Sequence, residues 1–258
     1  MIPSDGRTGA AVLGTFVDAL DWDEVLARIG SWAASRESRY VCISNAHSVV
    51  TASRDSKFQS VLSQADLVMA DGAPVAWMLR RLGFPMQQRI NGPDLMWRYC
   101  EEASHSGQLI YLFGSTPETM GRLTARLVAA FPGLRIGGAW SPPFRPLTMQ
   151  EDAQCVTAIN ASGAHMVFVS LGCPKQEHWM AEHRGQIHAV MIGVGAAFDF
   201  HSGAIPRAPR WMQDVGLEWM HRLISEPWRL WKRYLITNTV FVLKAALQLS
   251  RLWILGSR

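Results

Sequence analysis

The sequence lacks the long apolar segment of an integral membrane protein. Its 258 residues contain no uninterrupted run of about 18 uncharged apolar residues, the length that a membrane-spanning helix requires. The opening segment, MIPSDGRTGA, has no basic region followed by an apolar one, which is the pattern of a secretory signal. Together these two absences predict a protein that stays in the cytoplasm.

Charge is also scarce, because Asp, Glu, Lys and Arg make up 18% of the chain, against roughly 25% in typical soluble proteins. Hydrophobic residues make up 48%, which is enough for a sizeable core and excludes intrinsic disorder. The length allows one large domain, or one domain with an appendage.

Cysteine is rare and shows no C-x-x-C spacing, so we expect small buried thiols in a reducing compartment. The four are Cys42, Cys100, Cys155 and Cys173. The eight histidines form no H-E-x-x-H pattern, which argues against a structural zinc site. We therefore expect neither a metal nor another cofactor.

Three nucleotide and hydrolase motifs are missing. No G-x-x-x-x-G-K-[ST] segment exists, which argues against P-loop nucleotide hydrolysis. Gly193-x-Gly195 lacks the third glycine of the dinucleotide fingerprint, which argues against an NAD-dependent oxidoreductase. The G-x-S-x-G elbow of the usual α/β-hydrolases is absent as well.

What the chain does have, up to about residue 200, is a regular alternation of short apolar runs with stretches of helical spacing. The predicted strands are Tyr40–Ser44, Asp66–Ala70, Gln108–Phe113, Leu134–Gly138, His165–Ser170 and Ala189–Gly193. The predicted helices are Trp22–Ser35, Pro74–Leu82, Pro93–Ala103, Pro117–Ala130, Gln150–Ala161 and Lys175–His183. This alternation predicts an α/β fold, with a Rossmann-like parallel-sheet core and helices on both faces.

From residue 205 onward the pattern is helical only, with helices predicted at Arg210–Ser225 and from Pro227 to about Leu255. This stretch has nine Lys or Arg and three Asp or Glu, a net charge of +6, and five of the eleven tryptophans. We predict two domains: an α/β core at 1–204, and a basic, Trp-rich helical appendage at 205–258.

The composition of the appendage favours docking on an anionic membrane surface over binding a nucleic acid or a partner protein. Lys244 and Arg251 interrupt the apolar stretch Leu235–Leu255, which favours an amphipathic helix in the membrane plane over a spanning one. Packing in a homo-oligomer interface remains a third possibility.

Polar, glycine-rich clusters follow the predicted strands, where ligands of parallel sheets bind. They are Ser44 to His47, Ala70 to Ala73, Phe113 to Thr116, Leu171 to Glu177 and Gly193 to Asp199. Helix N-terminal amides beside glycines accept anions, so these clusters predict a phosphate-bearing ligand.

Individual residues in these clusters have two interpretations. Asp71 is either a turn or N-cap residue, or a carboxylate that takes a proton from a substrate hydroxyl. Arg89 and Asp94 are explained either by a surface ion pair or an N-cap, or as part of a site. Lys175-Gln176-Glu177 is either a solvated first helical turn or a segment that recognises a ligand. Asp199 is either a helix cap or a ligand-binding residue.

Taken together, these segments resemble the WecG/TagA/CpsF glycosyltransferases. The segments are ADG from Ala70, QRINGPDL from Gln88, LFGS from Leu112, LGCPKQE from Leu171 and GVGAAFD from Gly193. In the tail, Gly216-Leu217-Glu218-Trp219, Glu226-Pro227-x-Arg229 and Arg233-Tyr234 add to the resemblance. The similarity covers about residues 11 to 235.

The resemblance implies an inverting transfer of a hexose, an N-acetylhexosamine or its uronic acid from a UDP-sugar to a polyisoprenyl-diphosphate-linked saccharide. Such enzymes assemble exopolysaccharide, capsule or teichoic acid at the cytoplasmic face of the plasma membrane. It implies no nucleic-acid partner. The rival hypothesis is a non-catalytic, membrane-attached subunit that binds a nucleotide sugar or a lipid diphosphate.

The resemblance also implies residue roles. Asp71 matches the proposed catalytic base, and Arg89 matches an arginine near the donor diphosphate. The candidates for donor binding are Asn45, Gly72, Gly92, Asp94, Gly114, Gly172, Lys175, Gln176, Glu177, Gly195 and Asp199. The candidates from the appendage for binding the acceptor or a diphosphate are Arg207, Arg222, Arg229 and Arg233. Ser44 stands where the family usually has a threonine.

Overall fold

The structure, a computed structural model, describes residues 6–256, and at residues 229, 255 and 256 it describes the backbone alone. The described chain starts with an antiparallel hairpin of β1 (Gly9–Val12) and β2 (Thr15–Asp18). Six further strands follow: β3 (Arg39–Ser44), β4 (Leu67–Ala70), β5 (Leu109–Gly114), β6 (Arg135–Trp140), β7 (Met166–Ser170) and β8 (Val190–Gly193). They form one parallel sheet in the order β4-β3-β8-β7-β5-β6.

Nine helices belong to the described part of the chain before residue 205. They are α1 (Trp22–Ala34), α2 (Ala46–Ala52), α3 (Ser56–Gln64), α4 (Ala73–Arg81), α5 (Gly92–Ser106), α6 (Pro117–Ala130), α7 (Met149–Ala161), α8 (Lys175–His183) and α9 (Ala197–Ser202). Three more follow: α10 (Arg210–Asp214), α11 (Glu218–Ser225) and α12 (Pro227–Gly256).

Both faces of the sheet are buried, because side chains alternate along each strand. In β3, Tyr40 and Cys42 enter a core with Phe58 of α3, while Val41 and Ile43 enter a second core with Leu95 of α5 and other residues. Two separate cores on one parallel sheet are the arrangement of a Rossmann-like fold. The predicted fold class is therefore confirmed.

All six predicted strands are present, and each end lies within two residues of the predicted one. The predicted single helix Arg210–Ser225 is wrong, because the chain breaks into α10 and α11. Gly216 lies at the break with a φ of +77°, a left-handed conformation that no continuous helix contains. The hairpin and the short helices α2, α3 and α9 have no counterpart among the elements predicted from the sequence.

The long helix α12 packs on the core through one face. Phe241 and Ala245 are buried in the same core as β3. Gln248 donates to the carbonyl of Ala11 (2.6 Å) in the hairpin, and the Lys244 ammonium donates to the hydroxyl of Ser53 (2.7 Å). The 1–204 and 205–258 division stays a prediction, but the two parts share this packed contact.

Within residues 6–256, no helix combines the length and the apolar character needed to cross a bilayer. The described side chains include no group of three or more potential metal ligands. The four cysteines are free thiols; Cys42, Cys100 and Cys155 are buried as predicted, and Cys173 is partly exposed.

Candidate active site

A cavity of about 1030 Å³ opens at the carboxyl edge of the central sheet. Its wall is formed by the segments that follow β3, β4, β5, β7 and β8, and by one side of α11 and α12. The polar clusters found in the sequence meet here because parallel strands all end at the same edge. The site therefore combines residues from most of the chain.

Asp71 follows β4 directly and lines this cavity. Its backbone N–H donates to the carbonyl of Ser44 at the end of β3 (3.0 Å), which holds it at the sheet edge. Gly72 (φ +83°) takes the N-cap position of α4, so Asp71 is not a helix cap. Burial raises the pKa of Asp71 above its ordinary value; Arg89 opposes this increase and the charge of Glu218 adds to it.

Arg89 joins Asp71 to a second carboxylate. Its Nε and Nη2 atoms each lie 3.3 Å from Asp71 Oδ1, and Nη2 lies 2.6 Å from Glu218 Oε2. Glu218 is the first residue of α11, and it is buried to all but 7% of its surface. The guanidinium therefore binds more closely to the carboxylate of the C-terminal segment than to Asp71, which leaves Asp71 only partly neutralised.

The series of ion pairs from Asp71 through Arg89 to Glu218 continues as far as α5. Arg207 Nε lies 3.5 Å from Glu218 Oε1, and Arg207 Nη1 donates to Asp94 (2.5 Å). Asn91 caps α5 by accepting from the Asp94 backbone N–H (2.9 Å). Burial acts to raise the pKa of Asp94, but the hydrogen bonds from Arg207 and Asn91 prevail and lower it. Asp94 and Arg207 stand behind the cavity wall and brace Glu218.

At the start of α8, Gln176 faces the cavity and Glu177 lies behind it. Gln176 Oε1 accepts from the Gly195 N–H (3.2 Å), and its Nε2 donates to Glu177 Oε1 (2.9 Å). Glu177 is 1% exposed, and burial raises its pKa to about 7, although the bond from Gln176 opposes the shift. The adjacent Lys175 is exposed and outside the cavity wall.

The predicted glycines divide into two groups. Gly72, Gly172 and Gly195 line the cavity with positive φ angles. Gly92 and Gly114 instead pack against backbone, since a Cβ at these positions would lie 2.7 Å from the Val194 carbonyl oxygen and 2.3 Å from that of Ser170. Gly92 and Gly114 therefore permit close packing behind the site and do not themselves form its wall.

Asn45 and Asp199 also lie at the cavity. Asn45 caps α2 through bonds from the backbone N–H groups of His47 (2.9 Å) and Ser48 (3.2 Å), so its side-chain oxygen is already engaged. Asp199 lies in the first turn of the short helix α9. Asn45 thus has a helix-capping role as well as a position in the cavity wall.

Arg222 and Arg233 bring positive charge to the opposite wall. Each Nε atom is buried and has no hydrogen-bond partner within the described residues. The Arg222 guanidinium lies over the ring of Phe200, 5.5 Å from its centroid, and its Nη2 atom lies 3.8 Å from Glu226 Oε2. Its Nε–H group is the donor that remains for an anion. The predicted Arg229 lies outside the residues whose side chains are described.

Two residues of this site have no individual role in the prediction from the sequence, although His47 belongs to one of the polar clusters. Glu218 was noted only as part of a tail motif; its signal was an acidic residue in a strongly basic segment. His47 lines the cavity and lies 3.4 Å from the Thr237 hydroxyl of α12. Burial, with the nearby charge of Arg233, lowers the pKa of His47 to about 4, so the imidazole is neutral at pH 7.

Chemically, the cavity offers one carboxylate with a raised pKa, unpaired guanidinium N–H groups, and the N-termini of helices that follow the strands. The carboxylate suits proton removal from a hydroxyl group. The guanidinium groups and helix amides suit a phosphate or diphosphate that gains negative charge. This combination fits the transfer of a group from a phosphorylated donor to an alcohol.

Comparison with known proteins agrees with this chemistry. A family model described as the glycosyl transferase WecG/TagA/CpsF family matches residues 10–253. Among curated proteins, an N-acetylglucosaminyldiphosphoundecaprenol N-acetyl-beta-D-mannosaminyltransferase of Bacillus spizizenii is 31% identical over 222 residues, covering 83% of this chain and 84% of the relative. A protein of the same name from Bacillus subtilis is 31% identical over 224 residues, covering 86% and 82%.

Proposed function

Because the chain belongs to the WecG/TagA/CpsF family of glycosyl transferases, we propose that it moves a sugar from a UDP-sugar to a polyisoprenyl-diphosphate-linked saccharide. The sugar is a hexose, an N-acetylhexosamine or its uronic acid, and the product belongs to a cell-surface polysaccharide. The family supports the glycosyltransferase activity, while the donor nucleotide, the sugar and the acceptor form the proposal.

The names of the relatives support the acceptor class. Both relatives act on N-acetylglucosaminyldiphosphoundecaprenol and transfer an N-acetyl-beta-D-mannosaminyl group. We infer the same kind of acceptor for this chain: a short saccharide on a polyprenyl diphosphate. Arg222 and Arg233, with their unpaired Nε atoms, supply the charge that such a diphosphate requires.

The proposed reaction is a single displacement with inversion. The acceptor hydroxyl oxygen forms a bond to the anomeric carbon, and the bond between that carbon and the UDP oxygen breaks. The hydroxyl proton passes to the Asp71 carboxylate, and the bonding electron pair leaves with the diphosphate of UDP. Asp71 is suited to this role because its raised pKa makes it a stronger base than a solvated aspartate.

The departing diphosphate gains negative charge, which fixed donors stabilise best in a water-poor site. We propose that Arg89, the N-terminal amides of the helices at the sheet edge, and Gln176 face the donor. Gln176 is preorganised for this task by Gly195 on one side and Glu177 on the other.

The observation that carries the proposal is the position of Asp71, which lines the cavity and pairs with an arginine that a second carboxylate shares. A helix-capping or purely structural aspartate has no need of this arrangement. A catalytic base needs such an arrangement, with a cation nearby and an open cavity for the substrate.

The enzyme's place of action follows from the acceptor. We propose that the protein works at the cytoplasmic face of the plasma membrane as a peripheral protein. The outer face of α12 supports this, because it exposes Leu235, Ile236, Leu243, Leu247 and Trp253 to solvent. An apolar helix face of this kind lies in a membrane interface more stably than in water.

The first test is a transfer assay with a panel of labelled UDP-sugars, including UDP-N-acetylmannosamine, and N-acetylglucosaminyl-diphosphoundecaprenol in detergent micelles. Wild-type protein should transfer one of these sugars. Asp71→Asn should lower kcat/KM by about 10²- to 10⁴-fold, the usual contribution of a general base. Donor affinity, measured by calorimetry, should change only a few-fold.

Asp23→Asn is the matched control, since Asp23 is an exposed aspartate of α1 outside the cavity wall. It should retain wild-type transfer. Undiminished transfer by Asp71→Asn would refute the proposed base. Donor binding by wild-type protein without transfer of any sugar would instead support the rival hypothesis of a non-catalytic subunit.

A further inference from the structure

The cavity extends beyond the charged residues into an apolar arm, which neither the family match nor the proposed reaction explains. The arm lies along α12 and includes side chains from α4. It is lined by Trp77, Phe241, Val242, Ala245, Ala246 and Leu249. A sugar or a nucleotide is a poor occupant of such a space, because its hydroxyl groups would lose water without gaining partners.

The residues of α12 that face the cavity change character in one direction along the helix. Arg233 is first, Tyr234, Thr237 and Asn238 follow, and from Phe241 onward the lining residues are apolar. The stretch from Asn238 to Leu249 is twelve residues long, and its eleven steps of 1.5 Å make a length of about 16 Å. One helix side therefore presents a cation, then hydrogen-bonding groups, then a long apolar strip.

The apolar arm also adjoins the apolar outer face of the same helix. Val242 and Ala246, which line the cavity, are exposed, and Leu243 and Leu247 beside them in the sequence face outward. A hydrocarbon chain in the arm can thus continue onto the outer surface of α12 without crossing a charged rim. An occupant that is charged at one end and apolar along its length matches this wall.

We propose that the arm binds the first isoprene units of the acceptor's polyprenyl chain, while the adjoining diphosphate lies at Arg222 and Arg233. This inference rests on the proposed function, because it takes a polyprenyl-diphosphate acceptor as the ligand. It adds a binding site for the lipid itself. The site holds the acceptor by its chain, so that the saccharide reaches Asp71.

A binding measurement tests the arm without any transfer reaction. Calorimetry compares farnesyl diphosphate with inorganic diphosphate, two ligands that share a diphosphate and differ in the isoprenoid chain. Wild-type protein should bind farnesyl diphosphate at least tenfold more tightly. Ala246→Trp fills the arm and should remove most of this difference. Val128→Trp adds the same ring at an exposed position of α6 outside the cavity wall, and it should retain the difference. Equal wild-type affinities for the two ligands would overturn the proposal.

A transfer assay then relates the arm to the reaction. It uses two acceptors with the same N-acetylglucosaminyl diphosphate, one on an undecaprenyl chain and one on a single isoprenyl unit. Ala246→Trp should lower kcat/KM at least tenfold for the long acceptor and less than twofold for the short one. Val242→Asn, a smaller change, should act in the same direction.

The outcomes separate the two proposals. An equal loss on both acceptors, or no loss on either, would overturn the arm as the site of the polyprenyl chain while the proposed function stands. Failure of the wild-type protein to use either acceptor would contradict the proposed function, and with it the assignment of the arm to the acceptor.

Discussion

Arg89 donates to two carboxylates that are 147 positions apart in the sequence: Asp71 before it and Glu218 far beyond it. Because Glu218 holds the guanidinium at 2.6 Å and Asp71 is at 3.3 Å, the cation neutralises Glu218 more than Asp71. Burial raises the pKa of Asp71 although this positive charge is close, and the charge of Glu218 adds to the increase. At the residue scale, burial raises the pKa of the proposed base, and this sharing limits how far Arg89 lowers it again.

Glu218→Gln should therefore move the acidic limb of the pH profile of kcat/KM to lower pH. Without the charge of Glu218, the repulsion that raises the pKa of Asp71 disappears and Arg89 is free to pair with Asp71, so both effects lower that pKa. The base then remains unprotonated at lower pH. Transfer rates measured across the acid range check this result.

Glu118→Gln serves as the control, because Glu118 is an exposed residue of α6 paired with Arg122. Its profile should coincide with that of the wild type. An acidic limb of Glu218→Gln that stays in place or moves to higher pH would contradict the shared role of Arg89.

Glu177 gives a prediction about stability. Its pKa is about 7 in the folded protein and near 4.5 when solvated, so the folded state binds the proton more tightly between these values. The free energy of unfolding should fall as pH rises from about 4.5 to 7, by up to roughly 3 kcal/mol from this one group. Glu177→Gln should lack this part of the pH dependence in denaturant unfolding.

The comparison between wild type and Glu177→Gln isolates one group, since the other titrating residues are common to both. The difference in unfolding free energy should shift in favour of the variant as pH rises. A difference that is constant from pH 5 to pH 8 would show that Glu177 titrates normally in the folded state.

At the scale of elements, the break between α10 and α11 determines where Glu218 lies. Gly216 has a φ of +77°, and a Cβ there would lie 2.5 Å from the Cβ of Ala73 at the start of α4. The close approach of the two segments brings the first turn of α11 towards Arg89. A continuous helix over residues 210–225 would not make this turn against α4.

Gly216→Ala should therefore lower both stability and transfer. The left-handed backbone costs about 1–2 kcal/mol for a residue with a Cβ, and the contact with Ala73 displaces α11 in addition. Gly107→Ala is matched, because Gly107 has a φ of +72° and open space around it. It should lose similar stability from backbone strain but retain transfer; an equal loss of transfer in both variants would show that α11 placement is not the cause.

The packing of α12 on the core explains why one of the two charged residues in its apolar stretch, Lys244, lies there. Lys244 turns inward and donates to Ser53 of the core, whereas Arg251 is exposed. An inward lysine with a defined partner belongs to a helix that packs on protein along one side. This supports the prediction of a helix lying in the membrane plane, with its opposite, apolar side towards lipid.

At the scale of the whole molecule, the charge of +6 and most of the exposed tryptophans belong to the C-terminal segment. We expect the protein to bind vesicles that contain anionic phospholipid and to release them as salt rises, because screening weakens the attraction of Lys and Arg to the surface. Trp228→Ala combined with Trp253→Ala should weaken binding about tenfold or more, through lost apolar contact. Vesicle co-sedimentation measures both effects.

The double variant Met86→Ala with Met149→Ala removes two comparably exposed apolar side chains from other parts of the surface. It should bind vesicles like the wild type. The wild-type protein could instead form a concentration-dependent oligomer and fail to bind anionic vesicles. That result would show that the outer face of α12 is a protein interface.

Much of the fold was predictable from the sequence, for a definite reason. The runs LIYLF, MVFVS and AVMIGV are apolar on both sides, which only a doubly covered parallel sheet requires. Once the strands are located, the polar residues that follow them must meet at one edge. The grouping of Asn45, Asp71 and Gln176 in one cavity follows from this geometry.

The short elements were less predictable. The hairpin at 9–18 and the helices α2, α3 and α9 are too brief for a period to emerge from the amino-acid pattern, and their ends depend on single caps such as Asn45 and Asp55. The break at Gly216 was also missed, because a glycine within a helical pattern is often tolerated. Its effect here comes from contact with α4.

The sequence by itself determined the α/β alternation, the edge of the sheet where the site lies, and the excess of positive charge and tryptophan in the tail. These properties depend on local periodicity and composition, which can be read from each segment of the sequence without its tertiary contacts. Only the tertiary structure decided that Glu218 shares Arg89 with Asp71, that Gly92 and Gly114 serve packing, and that α12 forms the apolar arm. Such features depend on which distant segments pack together, and a close approach between side chains more than a hundred positions apart leaves no periodic pattern in the sequence.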